Sequence, residues 1–261
     1  MTDRVTLRRT FDTVADLYDR ARPSYPVELV DTLAAYAGRV LEIGPGTGQL
    51  TVPLARRGAR ITAVELGPEL AARARHNLRR FPQVEVVNAD FERWSAPAGA
   101  YDLVVSATAF HWLDPAVRMD RIADALRPHG WLAVVETHHV AGGTSAFFAR
   151  AQDCYLRFDP ATEPDFVMPA AADIVADDGE ATGSGRFDQT LVLRYEWDQA
   201  YRTREYLDVL RTYSSTLSLP TAAAAGLLGC LGALIDRDFG GGIVKHHLTQ
   251  LRLSRRRAEP R

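Results

Sequence analysis

Short apolar runs alternate with amphipathic stretches between residues 39 and 137. Segments with helical spacing separate the apolar runs, at residues 49–57, 68–80 and 115–126. Strands joined by helices of about 10 to 15 residues form right-handed βαβ units. The pattern predicts a doubly wound α/β fold with a mostly parallel sheet, in which Pro128-His129-Gly130 forms a turn before the fifth strand. The predicted strands of this part are RVLEIG, RITAVEL, VEVVNAD, YDLVVSAT and GWLAVVET.

The chain on either side of this alternation has a different pattern. Residues 10–37 have helical spacing, broken once at Arg22-Pro23-Ser24-Tyr25-Pro26. FDQTLVLRYEW and IVKHHLTQLRLS are predicted late strands, which would bring the sheet to seven strands with an antiparallel pair at one edge. The expected organisation is a helical lid (1–38), a core (39–139), a helical cap insertion (140–185) and C-terminal strands and helices that complete the sheet (186–261).

Composition narrows the functional classes. The chain is 46% hydrophobic and 25% charged, its net charge is −2 and its pI is about 6.4, so no overall positive field favours a nucleic-acid partner. No apolar run approaches the roughly 20 residues of a membrane span. The opening MTDRVTLRRT is too polar for a secretory signal, which favours the cytoplasm. The basic run Arg255-Arg256-Arg257 is expected to be a solvated end.

Cysteine and histidine spacing argues against metal binding. Cys154 and Cys230 lack the paired spacing of a zinc site or a disulfide framework, so two reduced, buried thiols are expected. His138 and His139 have no cysteine or carboxylate at ligand spacing. In the last predicted strand, His246 and His247 are adjacent and should point to opposite faces. We therefore predict no metal site.

The strongest local motif is VLEIGPGTGQ, a strand that enters a glycine-rich turn and then a helix. Gly44, Gly46 and Gly48 would let a ligand lie against the backbone near free N–H groups. A dinucleotide-binding turn has the spacing G-x-G-x-x-G, whereas here Gln49 takes the place of the last glycine. Glu42 precedes the turn, where it would repel a pyrophosphate and attract a cationic ligand.

Two more acids end the next two predicted strands. Glu65 closes the second strand, where a carboxylate can accept hydrogen bonds from both hydroxyls of a ribose. Asp90 closes the third strand, where it can accept from the amino group of an adenine while Phe91 contacts the base. Each acid alone is more often a surface acid or a helix cap. Together with the glycine turn, the three acids predict a nucleoside site at the carboxyl edge of the sheet.

At these motifs the sequence resembles the class I S-adenosylmethionine-dependent methyltransferases, and more narrowly their trans-aconitate and ubiquinone-biosynthesis branch. The resemblance rests on FDTVADLYDRARPSYP, VLEIGPGTGQLT, AVELGPEL, VVNADFERW, YDLVVSATAFHWLD and RIADALRPHGWLAVVE. It implies a Rossmann-like sheet and S-adenosyl-L-methionine as the cofactor. It places the methionine part over Gly44, Gly46 and Gly48, the ribose at Glu65 and the adenine at Asp90 and Phe91, and it adds Glu42, Leu66 and Ala107 to the cofactor site.

The resemblance also implies residues around the acceptor. Tyr18, Arg22 and Tyr25 resemble a lid over cofactor and substrate, with Arg22 able to pair with a carboxylate; the alternative is that they only pack the helix and the turn. His111, in AFHWLD, is the candidate general base or anion ligand, and the alternative is a histidine that packs its loop. Trp112 is expected to be a wall of the substrate pocket.

Three functions compete on this sequence. The first is in-line transfer of a methyl group to a small-molecule acceptor. The second is a protein of this fold that uses the cofactor structurally, as a binder or as a non-methylating catalyst. The third is a nucleic-acid or protein methyltransferase, which Ser106-Ala107-Thr108-Ala109 disfavours because a motif such as Asn-Pro-Pro-Tyr is expected there.

Overall fold

A single seven-stranded sheet, with the strand order β3-β2-β1-β4-β5-β7-β6, runs through the protein in the computed structural model, which describes residues 11–175, 179–188 and 190–258. Strands β1 to β5 pair in parallel, and antiparallel strands complete one edge, which confirms the predicted doubly wound α/β fold. The strands are β1 (Arg39–Ile43), β2 (Arg60–Glu65), β3 (Val84–Asn88), β4 (Tyr101–Ala107), β5 (Leu126–His139), β6 (Leu191–Arg202) and β7 (Gly242–Arg255).

The described α-helices lie between these strands and ahead of β1. The predicted break at residues 22–26 separates the first two of them. Short 3-10 helices cover Phe11–Val14, Phe110–Trp112 and Ala171–Asp173. The α-helices are α1 (Ala15–Ala21), α2 (Val27–Ala34), α3 (Thr51–Arg56), α4 (Pro68–Leu78), α5 (Arg118–Ala125), α6 (Ser145–Phe158), α7 (Gly179–Gly183), α8 (Thr203–Leu210), α9 (Ser214–Leu217) and α10 (Thr221–Asp238).

The contacts divide the chain into two compact units. The first unit combines residues 11–22 with His138–Val175 and Glu196–Leu248. The second unit combines Pro23–Thr137 with the described parts of Ala176–Tyr195 and of the chain after Leu248. The boundaries expected for lid, core and cap stay a prediction.

In the second unit the sheet is covered on both faces. Val40 belongs to one buried apolar cluster with Leu33 and Leu54, whereas its neighbour Leu41 belongs to another with Ile122. Successive strand residues point to opposite faces, so strands buried on both sides read as continuous apolar runs. This double cover explains why RVLEIG and YDLVVSAT are apolar without alternation.

The turn predicted at Pro128-His129-Gly130 is not a boundary between helix and strand. Strand β5 already begins at Leu126, which pairs with Tyr101, and the next register pair is Trp131 with Leu103. The residues between form an irregularity in which His129 has a φ of 63°. The proline and the glycine therefore mark a bulge inside the strand.

The basic run near the C-terminus is not simply a solvated end. Arg256 is buried, donates its backbone N–H to the carbonyl of Gly130 at 2.8 Å and donates its guanidinium to the carbonyl of Leu126. Arg257 forms an ion pair with Asp188 at 3.2 Å. Arg256 therefore satisfies backbone groups that the bulge in β5 exposes.

The first unit has a separate apolar core and a covalent link. Phe147 and Ala151 of α6, Leu231 of α10 and Val209 of α8 are buried in one cluster. A disulfide joins Cys154 of α6 to Cys230 of α10, so the expectation of reduced thiols is wrong. Spacing along the sequence did not reveal this pair because the cysteines are 76 residues apart and meet only through the packing of two helices. In the described parts of the chain, no helix is both long and apolar enough to cross a bilayer.

Candidate functional site

The carboxyl ends of β1, β2, β3 and β4 meet at one edge of the sheet in the second unit. Ile43 pairs with Val64, Glu65 pairs with Asn88, and Glu42 pairs with Val105. The strands are parallel, so the loops that follow them leave the sheet on the same side. The structure thus brings together the glycine turn and the acids that the sequence singled out in this unit.

The glycine turn needs its glycines for two physical reasons. Gly44, Gly46 and Gly48 have φ angles of 69°, 60° and 105°, in the left-handed region that side chains with a Cβ rarely adopt. In addition, a Cβ on Gly44 would lie 2.6 Å from the Cβ of Ala109. The turn therefore passes close to the loop after β4 and exposes backbone where a ligand can approach.

Glu65 holds this turn from the neighbouring strand. Its carboxylate is buried and accepts hydrogen bonds from the backbone N–H groups of Gly46 at 3.0 Å and Gly67 at 2.9 Å. The side-chain amide of Asn88 donates to the carbonyls of Glu65 and Leu66 at 2.9 and 3.0 Å. The end of β2 is thus fixed from both sides, and Glu65 is oriented before any ligand arrives.

Glu42 is a buried acid behind the same turn, with 1% of its surface exposed. Burial raises the pKa of Glu42 to about 7, the nearby Thr51 hydroxyl lowers it, and the Glu65 carboxylate raises it again. Among the described residues, Oε2 of Glu42 has no hydrogen-bond partner. A buried, unpaired carboxyl oxygen that ionises near neutral pH is a site for a cationic or hydrogen-bond-donating ligand.

Asp90 and Phe91 follow β3. Oδ1 of Asp90 accepts the backbone N–H of Glu92 at 3.1 Å, which fixes the loop, and the Phe91 ring is buried in the apolar cluster of Leu41. The guanidinium of Arg121 donates to the carbonyl of Phe91 at 3.2 Å. Phe91 therefore packs against the sheet. Its contact with an adenine stays a prediction.

The loop after β4 carries the residues expected near the reacting groups. Thr108 has a φ of 53°, unusual for a β-branched residue, and its hydroxyl lies 3.1 Å from that of Tyr25. Its N–H donates to the carbonyl of Val135 in β5 at 2.8 Å, and Ala107 precedes it at the end of β4. Strain held at a ligand-binding edge points to a functional constraint. This strain could not be predicted from the sequence, because Thr is not a residue type that favours positive φ.

His111 lies in the short 3-10 helix that follows. It is exposed, and its ring centre is 4.8 Å from that of Trp112. Partial desolvation lowers the pKa of His111, Glu136 opposes the shift and Arg118 adds to it. His111 is therefore neutral at pH 7 and able to accept a proton. Glu136, which no sequence motif singled out, pairs with Arg252 at 2.7 Å.

Tyr18 and Arg22 belong to the first unit, unlike the other candidate residues. The Arg22 guanidinium lies 4.9 Å from the centre of the Tyr18 ring and 4.6 Å from that of Tyr213. It donates to the side chain and the carbonyl of Thr212 at 2.8 and 2.7 Å. Their predicted contact with the cofactor stays a prediction.

The fold and one stretch of the sequence match known proteins. The seven-stranded sheet with antiparallel edge strands has the Rossmann-like fold of the class I methyltransferases. Residues 41–134 match the family described as a methyltransferase domain. The narrower resemblance to the trans-aconitate and ubiquinone-biosynthesis branch stays a prediction.

Curated relatives match the same half of the chain. The chain is 39% identical over 127 residues to an uncharacterized methyltransferase of Mycobacterium tuberculosis, which covers 48% of this chain and 51% of that protein. It is 38% identical over 121 residues to the malonyl-[acyl-carrier protein] O-methyltransferase of Geobacter sulfurreducens, covering 43% and 45%. The match thus spans about half the length of these relatives.

Solved structures share the fold over most of the chain. One is a protein of Anaeromyxobacter dehalogenans, provisionally described as a type II methyltransferase, with a TM-score of 0.65, 23% identity, and coverage of 90% of this chain and 97% of that one. Another is the [4+2]-cyclase SpnF, with a TM-score of 0.55, 16% identity, and coverage of 97% and 96%. At these identities the likeness is one of fold.

Proposed function

We propose that this protein binds S-adenosyl-L-methionine and transfers its methyl group to a small-molecule acceptor in the cytoplasm. The proposal rests on two acids beside the same glycine turn. Hydrogen bonds hold one of them in place, and the other is buried with one carboxyl oxygen that no described residue hydrogen-bonds. Glu65 bridges the backbone of Gly46 and Gly67, and Glu42 lies behind Gly44 with a free oxygen. Acids in these positions suit a cationic nucleoside and oppose a pyrophosphate.

The residues present fit this cofactor. The turn of Gly44, Gly46 and Gly48 would carry the methionine part, and the partly ionised Glu42 would favour the positive charge there. Glu65 would accept from the ribose hydroxyls, with Leu66 beside it. Asp90 and Phe91 would hold the adenine, and Ala107 would line the site; Tyr18 and Arg22 are proposed to close over it.

When bound, the cofactor supplies an electrophilic methyl group on a sulfonium. The protein's own task is to align the acceptor, exclude water and remove a proton where the acceptor carries one. Positioning of this kind contributes roughly 7 to 11 kcal/mol to lowering the barrier. We assign proton acceptance to Nδ1 or Nε2 of His111, and we assign substrate contact to Tyr25 and Trp112.

The relatives support transfer as the activity. Proteins that match the same half of the chain are named as methyltransferases, among them an O-methyltransferase. A small acceptor is favoured by the net charge of −2, which gives no general attraction for nucleic acids. The cyclase SpnF shares the fold, so the fold alone does not establish transfer, and an assay must distinguish binding from turnover.

Calorimetric titration with S-adenosylhomocysteine tests cofactor binding. Glu65→Gln removes the charge that a ribose hydroxyl would meet, and a hydrogen bond to a charged group contributes about 1.5 to 3 kcal/mol, so affinity should fall roughly 10- to 100-fold. Asp90→Asn should also weaken binding. Glu85→Gln is the matched control, because Glu85 is an exposed acid in β3 away from the carboxyl edge. Equal affinity of all variants would refute the proposed site.

Transfer is tested with a cofactor labelled on its methyl group. Small hydroxy, carboxy and amino compounds are screened for labelled product, together with release of S-adenosylhomocysteine. Labelled product that disappears in His111→Ala, with cofactor affinity unchanged, supports the assignment. Tight cofactor binding without product from any acceptor would instead support a protein that uses the cofactor structurally.

A further inference from the structure

The only lysine in the 261-residue sequence, Lys245, is buried inside the first unit. It lies on β7 with 3% of its surface exposed. Its ammonium lies 5.9, 5.8 and 5.6 Å from the ring centres of Phe148, Tyr206 and Tyr213. All other residues counted as Lys or Arg are arginines. Lys245 therefore carries the only side-chain ammonium of the sequence, and this ammonium is buried.

Lys245 has no counter-ion in the part of the chain that the structure describes. Among the described residues, no carboxylate pairs with it and no acceptor hydrogen-bonds its ammonium. Burial lowers the pKa of Lys245 to about 7, and the charge of Arg22 adds to the shift. A buried cation is normally paired, because removing it from water is costly. Aromatic faces attract the ammonium, yet they carry no charge that could neutralise it.

Arg22 adds a second cation to the same ring. Its guanidinium lies 4.6 Å from the centre of Tyr213, so Tyr213 has a cation near it from both α1 and β7. The contacts of Arg22 are the neutral Thr212 and the rings of Tyr18 and Tyr213, and no described carboxylate pairs with it. Two cations beside one ring, with no described acid paired to either, leave a local excess of positive charge.

The neighbouring polar side chains also have hydrogen-bonding groups that a ligand can use. The Tyr213 hydroxyl lies 3.4 Å from Nε2 of His139, which is exposed although its surroundings hold its pKa well below the usual range. His247 is 2% exposed, and neither of its ring nitrogens has a hydrogen-bond partner among the described residues. Its ring stacks on Trp197, with 4.6 Å between centres, and lies 5.6 Å from that of His139.

We propose that the first unit holds a binding site for an organic acid, in which Lys245 and Arg22 take the carboxylate and the rings of Tyr213 and its neighbours enclose a flat apolar body. Unpaired cations and hydrogen-bond donors call for an acceptor-rich anion, and aromatic walls favour a planar organic one over a hydrated inorganic ion. Among the described groups, those facing Lys245 are Arg22, His139, His247, Tyr206 and Tyr213, and none is an acid.

Lys245 has no part in the proposed cofactor site, so the test follows Lys245 and needs no methyl donor. Because the chain has one lysine, protein labelled with carbon-13 and nitrogen-15 lysine gives a single ammonium signal whose titration reports Lys245. The probes are acetate, benzoate, the neutral amide benzamide, and inorganic phosphate. Saturating benzoate should raise the pKa of Lys245 by one unit or more, whereas benzamide should leave it unchanged.

Variants separate recognition from folding. Lys245→Met keeps the length of the side chain without its charge, so it should fold and bind benzoate at least tenfold more weakly. Arg22→Met should also lose at least tenfold. Arg204→Gln, at an arginine whose side chain is 92% exposed on α8, is the matched control and should bind as the wild type does.

The proposal has clear contrary outcomes. It fails if no carboxylate shifts the Lys245 signal, if phosphate shifts it more than benzoate, or if Lys245→Met binds benzoate with wild-type affinity. Each of these results can occur in protein that still binds S-adenosylhomocysteine, so failure here is distinguishable from failure of the proposed methyltransferase site.

Discussion

The carboxylate of Glu65 accepts the backbone N–H of Gly46 at 3.0 Å, so the end of one strand fixes the glycine turn of its neighbour. The same carboxylate accepts from Gly67, at the start of α4. One acid therefore sets the geometry of two loops at the edge where the cofactor is proposed to bind.

Gly44→Ala should damage this turn more than a glycine change elsewhere. Its new Cβ meets Ala109 at 2.6 Å and its φ of 69° is strained for alanine, so stability should fall by about 2 to 4 kcal/mol. Gly58→Ala is the control, because Gly58 has a φ of 87° but no atom within 4 Å of an added Cβ, and only about 1 kcal/mol is expected. Urea unfolding measures both, and equal losses would contradict the close approach.

Affinity for S-adenosylmethionine should rise with pH through the ionisation of Glu42. The pKa of Glu42 is about 7, and only the ionised form attracts a cation, so affinity should increase about tenfold between pH 6 and pH 8. Glu42→Gln should remove this dependence. Calorimetric titration at several pH values checks it, and a wild type with flat affinity would argue against Glu42 as a partner of the ligand.

His111 should titrate below its ordinary pKa of 6.5 and be neutral at pH 7. Glu136→Gln removes the charge that supports the protonated ring, so the pKa of His111 should fall further. If His111 is the base, the acid limb of the rate profile should move to lower pH in this variant. Histidine NMR measures the pKa of His111, and the pH dependence of the rate shows whether the base has the same pKa. If the NMR pKa moves in the variant but the rate profile does not, His111 is a packing residue and not the base.

Lys245→Met should stabilise the ligand-free protein at pH 7. The pKa of Lys245 is depressed from 10.5 to about 7 by folding, so between these values the unfolded chain binds more protons and wild-type stability rises with pH. The rise attributable to this group is at most about 1.4 kcal/mol per pH unit. Parallel unfolding curves for wild type and variant from pH 7 to pH 9 would contradict the unpaired charge.

Reduction of the disulfide should destabilise the first unit. Cys154 and Cys230 close a loop of 76 residues, and a cross-link of this kind contributes about 2 to 4 kcal/mol, mainly by restricting the unfolded chain. The Cys154→Ser/Cys230→Ser variant should melt at lower temperature than the oxidised wild type, and dithiothreitol should lower the melting temperature of the wild type alone. A wild type insensitive to the reductant, with no free thiol exposed, would contradict this.

The second unit was largely predictable from the sequence because local rules govern it. RVLEIG and RITAVEL form strands as predicted, and the parallel order brings Glu65 to the glycine turn without further information. The same local rule holds for one strand of the first unit, where His246 and His247 face opposite sides as predicted: His246 contacts Asp198 at 2.6 Å, whereas His247 stacks on Trp197.

The first unit was not predictable because its important contacts are distant in sequence. Cys154 meets Cys230, and Arg22 meets Thr212 across 190 positions, with no periodic signal to announce either. The second unit has one such pairing too: Arg256 was expected in a solvated end, yet it hydrogen-bonds the backbone of a bulge more than a hundred residues away. Pairings of this kind depend on how helices and late strands pack, which one sequence does not encode in local spacing.

The rarity of lysine has a practical consequence for chemistry on this protein. A reagent that acylates or alkylates side-chain amines has one target in the whole sequence, and packing shields it. Besides any reaction at the terminal α-amino group, such a reagent would leave the arginines untouched and would modify one side chain, at a rate set by how often the first unit opens. The rate at which the mass added at Lys245 appears therefore measures how often that unit opens.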